Sequence, residues 1–104
     1  MAERFRIRLM LEWGGGALWC GNQVALARFS VGSIEEKLPL SATTLERLSV
    51  MTRWHDTALN WEYPPDPGPW NAAEYTEFDD AAEALLAVIQ EELGVEFEVV
   101  YERL

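Results

Sequence analysis

Two stretches at opposite ends of this chain alternate apolar and polar residues with a period of two, and their charges are opposite. In Arg4 to Leu11, Phe5, Ile7, Leu9 and Leu11 share one side while Arg4, Arg6, Arg8 and Met10 share the other. Successive side chains on a strand point to alternate faces, so this pattern predicts a half-buried β-strand. In Glu96 to Glu102, Phe97, Val99 and Tyr101 fall inward, and Glu96, Glu98, Val100 and Glu102 fall outward. Set side by side in one sheet, the strands bring an arginine row against a glutamate row, and each cross-strand pair adds a few tenths to about 1 kcal/mol. The chain's two ends are therefore predicted to be neighbours. Their charges speak first of the fold, and a phosphate-binding ladder of Arg4, Arg6 and Arg8 is the weaker reading.

Between these ends, Gly14, Gly15 and Gly16 supply the backbone freedom for a tight reversal, and Leu18 and Trp19 resume the apolar pattern, which predicts a hairpin. The glycines are not a phosphate loop, because no Gly-Lys-Ser/Thr ending follows them. Gly21 to Ser33 reads as a further strand, with Val24 to Val31 fitting either register. Ser41 is a helix N-cap after the extended Leu38-Pro39-Leu40, and Leu45, Leu48, Met51, His55 and Leu59 recur at helical spacing. Val50, Trp54 and Ala58 make a second apolar stripe on that helix. Asn71 caps a second helix with Glu74 three positions on, and Gly94 stops it. Its core stripe is Phe78, Ala82, Leu85, Ile89 and Leu93, with Glu74, Glu77, Asp80 and Glu91 opposite, and with Asp79, Asp80 and Glu83 towards the positive end of the helix dipole. The expected architecture is α+β in a single domain over residues 1–104. It has a small, mainly antiparallel sheet that includes the first and last strands, with two helices packed on one face.

Charge narrows the function. From Trp54 to Glu102 there are thirteen acids and no lysine or arginine, so residues 54–104 carry net −12 against net +2 for residues 1–53. That surface repels nucleic acid and anionic lipid and attracts basic partners. No apolar run approaches the roughly 20 residues of a membrane-spanning helix, and the amino-terminal residues do not build a signal-peptide core, so a cytoplasmic protein is expected. The single Cys20 cannot form an internal disulfide and reads as a buried structural thiol. His55 and Asp56, adjacent on a helix, point about 100° apart and do not make a base and orienter pair. His55 falls on the core stripe, and joining it to Asp56 and Glu62 as metal ligands follows no recognised spacing. Neither Glu35-Glu36 nor Asp79-Asp80 reads as more than solvated carboxylates. No cofactor, metal or catalytic residue is implied.

Trp61 to Trp70 places four prolines within six residues, forbidding helix and ladder alike, and it carries Trp61, Tyr63 and Trp70 around Asp66. These aromatics either fold back as a lid on the core or present a rigid contact surface, since Trp and Tyr dominate binding energies. Leu38-Pro39-Leu40-Ser41, Leu45, Leu48, Trp54, Leu59-Asn60-Trp61, Pro64, Phe78, Glu92-Leu93-Gly94 and Glu98-Val99-Val100-Tyr101 occur in an order that resembles a group of small acidic bacterial proteins. Their character is that of immunity proteins and antitoxins. The resemblance implies a binding protein that neutralises a basic protein partner, such as a toxin or nuclease. Trp61, Tyr63, Asp66 and Trp70 would anchor the partner, and Glu74, Glu77 and Asp80 would steer it. The alternatives are a structural or assembly module, a homodimer included, and a small enzyme or small-molecule binder with His55 at an open cleft.

Overall fold

A computed structural model describes residues 3–11, 16–58 and 68–102. The elements in chain order are strand β1 (Phe5–Leu9), strand β2 (Leu18–Cys20), helix α1 (Gln23–Phe29), a single 3₁₀ turn (Glu35–Lys37), helix α2 (Ala42–Asp56), helix α3 (Ala72–Leu93) and strand β3 (Phe97–Tyr101). The strands form one sheet in the order β2-β1-β3. The end strands are neighbours as the alternation requires: Phe5 stands opposite Phe97, Arg6 opposite Glu98 and Ile7 opposite Val99. Arg6 Nε lies 2.6 Å from Glu98 Oε1 and Arg8 Nη1 3.3 Å from Glu102 Oε2. Arg4 goes elsewhere, donating from Nε to the Val95 carbonyl at 3.0 Å and from its terminal nitrogen to the Phe97 carbonyl.

Two expectations need correcting. The sheet is mixed, with β1 antiparallel to β2 and parallel to β3. Period-two alternation and charge matching are blind to direction: Arg6 meets Glu98 equally well in either sense. There are also three helices, because α1 occupies the stretch read as a strand. Asn22 decides this locally. Its Oδ1 accepts from the Ala25 amide at 3.1 Å as an N-cap and from the Arg6 amide at 3.2 Å, while its Nδ2 donates to the Arg4 carbonyl at 2.8 Å. Ala25 and Phe29, four apart, are its buried positions, and Ser30 at φ 72° ends the helix.

Other local chemistry follows the expected pattern. Ser41 Oγ accepts from the Thr44 amide at 3.1 Å, Asn71 Oδ1 accepts from the Glu74 amide at 2.9 Å, and Gly94 closes α3 at φ 83°. The α3 stripe of Phe78, Ala82, Leu85, Ile89 and Leu93 is buried throughout, as are Leu48, Met51 and His55 of α2. The second apolar stripe is only partly covered: Ala58, two residues beyond the end of α2, is buried and Trp54 half-buried, but Val50 is 47% exposed. α3 lies against β3, α2 against α3, and α1 against β1 and β2.

Two side chains fasten these layers. Gln90 of α3 substitutes for a neighbouring strand along β3: its Nε2 donates to the carbonyls of Gly94 (3.1 Å) and Phe97 (2.8 Å), and its Oε1 accepts from the Val99 amide (2.9 Å). Glu92, the next-to-last residue of α3, clasps the start of α2, accepting from the Ser41 amide at 2.7 Å, from Ser41 Oγ at 3.1 Å and from Thr44 Oγ1. The Ser41 amide first, and then the Thr44 hydroxyl, hold the Glu92 carboxyl below its ordinary pKa. A carboxylate depressed in the folded state contributes stability that is present above its unfolded pKa and lost as pH falls through the folded value. Glu92→Ala is expected to lower the free energy of unfolding by about 1–2 kcal/mol at neutral pH, the scale of a lost helix cap. Urea titrations at neutral and acidic pH check this, since the difference from the parent should shrink in acid.

Candidate partner-binding surface

The site begins with the start of α3. Asn71 caps its first turn, whose amides form the positive end of the helix dipole, and Glu74 occupies that turn. Glu77 and Asp80 follow at steps of three, both exposed, with Glu74 half-buried at their head. α3 contains no lysine or arginine to answer them. Other acids of the chain's second half are engaged in the fold. Asp79 accepts from Tyr101 Oη at 2.6 Å, Glu92 clasps α2, and Glu98 and Glu102 meet Arg6 and Arg8. Glu35 in the first half is engaged too, accepting from the amides of Ala17 and Leu18 at 3.2 and 2.9 Å.

Beside this acidic run is an aromatic cluster. Trp70 is only 8% exposed and packs against Tyr75, Phe78 and Trp54 with ring centroids 5.1, 5.2 and 5.9 Å away. Its Nε1 donates to Thr57 Oγ1 at 2.8 Å, tying the entry of α3 to the exit of α2. Trp70 thus takes the lid position of the two available to it. The ring displayed above it is Tyr75, 41% exposed and stacked edge-on. Tyr75 drew no attention in the sequence, although its place one residue beyond the helix-opening Glu74 makes it the aromatic that α3 turns outward. Trp61, Tyr63 and Asp66 lie outside the described residues.

A groove of about 310 Å³ runs between α2 and α3, lined by Val50, Met51, Trp54, Ala81, Ala84 and Leu85, with Glu46 and Arg47 on its α2 rim. Sequence reasoning missed it. The available signal was the second apolar stripe of α2, which faces the alanines of α3 across the gap.

His55 does not line an open cleft. It is 1% exposed, with its ring 5.8 Å from that of Phe78. Burial pushes its pKa down, with Asp56 opposing in part. Cys20 donates from Sγ to the Ser30 carbonyl at 3.4 Å, and burial pushes its thiol up. Among the described residues no group of three or more His, Cys, Asp or Glu is placed to hold a metal ion, and no helix is long and apolar enough to cross a membrane.

Residues 5–103 match the family model described as Serratia CdiI immunity protein-like. The chain belongs to that family. The match runs from β1 to beyond β3, so it takes in the sheet, the helices and the acidic face together. The immunity-protein character read from the order of helix entry, tryptophan, proline loop and final strand is the character of the family itself. A search of the curated proteins found no match.

The burial of His55 has a measurable consequence. A histidine whose folded pKa lies below its unfolded one contributes stability that is present above the unfolded pKa of about 6.5 and is lost as pH falls from there through the folded value. The urea midpoint of the parent is expected to fall between about pH 7 and pH 5, and His55→Leu is expected to remove that part of the fall. An unaltered slope in the variant would assign the pH dependence to other groups.

Proposed function

We propose that this protein is an immunity protein that holds a contact-dependent toxin inactive, and that the toxin surface it covers is basic. The match of residues 5–103 to the immunity family carries the first part of this reading. The run of Glu74, Glu77 and Asp80, on a helix with no base, supports the second. The protein acts by occupancy and without catalysis, in the cytoplasm. An acidic face opposite a positive cleft, such as that of a nuclease, imitates the anionic substrate and accelerates encounter. Glu74, Glu77 and Asp80 steer the partner. Trp61, Tyr63 and Asp66, from the proline loop that leads into α3, anchor it at short range, with Trp70 as the buried support beneath the displayed Tyr75.

Charge reversal separates steering from folding. The combined variant Glu74→Lys, Glu77→Lys and Asp80→Lys is expected to slow association with the cognate contact-dependent toxin domain by at least about tenfold at low salt, because steered association rates fall when rim charge is removed. The parent's association rate should itself fall with added salt, and the variant's much less. Stopped-flow mixing at several ionic strengths measures both. Salt-insensitive association by the parent would refute the basic-partner mechanism while leaving the family assignment untouched.

A further inference from the structure

The open groove between α2 and α3 has no place in the fold's own packing, and its composition says what fits it. Val50 is nearly half exposed on one wall, and the other wall is lowered to the methyl groups of Ala81 and Ala84. Its lining contributes almost no polar surface, whereas pockets for small molecules carry a few convergent polar groups that fix orientation. Along α2 it extends from Glu46 to Trp54, eight helical rises, or about 12 Å. That length accepts two anchors spaced like positions i and i+4 of a partner helix, or one bulky side chain of an extended segment.

The rim is electrically one-sided. Glu77 and Asp80 stand one helical turn before Ala81 and Ala84, and side chains four apart on a helix lie on the same face one above the other. The α3 side of the groove is therefore bordered by carboxylates. The α2 side carries Arg47, together with a Glu46 whose carboxylate lies 3.8 Å from Arg53. A second copy of this chain would bring another net charge of −10 to this border, which disfavours self-association.

We infer that the α2–α3 groove is the apolar socket of the toxin interface: it receives one or two aliphatic or aromatic side chains of a toxin segment whose lysines or arginines lie over Glu77 and Asp80. This rests on the immunity reading and adds to it a short-range anchor distinct from the proline loop. The pairing of an apolar plug with a basic flank makes the interface selective, because a basic segment without the plug leaves the socket wet, and an apolar segment without the bases leaves two carboxylates desolvated.

The test fills the socket without touching the acids. Ala84→Trp occupies the groove, and Val50→Glu places a carboxylate in it. Both positions are exposed, where substitutions usually leave stability within about half a kcal/mol. Affinity for the purified cognate contact-dependent toxin domain is measured by calorimetry for the parent and both variants, with thermal melts as the check on folding. The expected result is a parent complex and at least a tenfold weaker one for each variant that melts like the parent. A parent complex that both variants match overturns the socket and leaves the immunity reading standing. No parent complex at all overturns the reading and the socket with it. Sedimentation of the parent alone covers the remaining occupant: a dimer that Ala84→Trp converts to monomer would show that a second copy fills the groove and would overturn the toxin assignment of the socket.

Discussion

The parallel pairing of β1 with β3 joins the chain's first residue pattern to its last, and the remaining elements take their places from it. Ile7 and Leu9 are fully buried in the middle strand, opposite Val99 and Tyr101 on one side and Cys20 and Leu18 on the other. Once β3 is fixed beside β1, the end of α3 is fixed through Gly94 and through the three hydrogen bonds of the Gln90 amide. Once α3 is fixed, Glu92 sets the start of α2, and Trp70 sets its end through Thr57. Two of the three outward arginines of the first strand meet carboxylates, but the exposed Arg6–Glu98 pair is worth little by itself. Its value is in selecting the neighbour; the apolar face beneath supplies the energy.

The acids of the second half sort by what they touch. Asp79, Glu92, Glu98 and Glu102 have partners within the chain, so their placement is explained by the fold whatever the protein bound. Glu74, Glu77 and Asp80 are positioned by α3 on its outward side. A net charge read from composition cannot make this separation, because it counts a carboxylate that clasps a helix the same as one facing a partner.

How much was legible depended on the range of the interaction involved. Ser41, Asn71 and Gly94 act within one helical turn, so their roles were readable from the neighbouring residues alone. The Phe78 to Leu93 stripe spans more than four turns and leaves no other period. The direction of β3 was not readable, because it is set by how the α2–α3 pair returns the chain to the sheet, and nothing in Glu96 to Glu102 encodes that. α1 was hidden for a different reason. Seven residues show a single i, i+4 pair, Ala25 and Phe29, and its cap Asn22 is held by Arg4 and Arg6, sixteen or more positions away. Of the candidate site, the acid run and Trp70 were visible as residues. The lid position of Trp70 turned on the hydroxyl of Thr57, and the groove turned on which side of α2 the core left uncovered.

The outward face of α3 is not what folding alone would favour. Glu74, Glu77 and Asp80 repeat at three-residue steps, and like charges three or four apart on a helix cost a few tenths of a kcal/mol each. The helix dipole compensates Glu74 in the first turn, but the effect fades within that turn and does little for Asp80. A lysine four residues after any of these acids would have repaid the repulsion, yet positions 78, 81 and 84 hold Phe, Ala and Ala. Phe78 is required by the core, whereas Ala84 is exposed and open to any side chain. Leaving a methyl group where a basic side chain would stabilise the helix leaves the carboxylates without a base on their own helix and keeps the groove beside them open, which is what the proposed binding of a basic toxin would use. One substitution would abolish both properties, so the acid run and the groove are best understood as a single surface kept at some expense in helix stability.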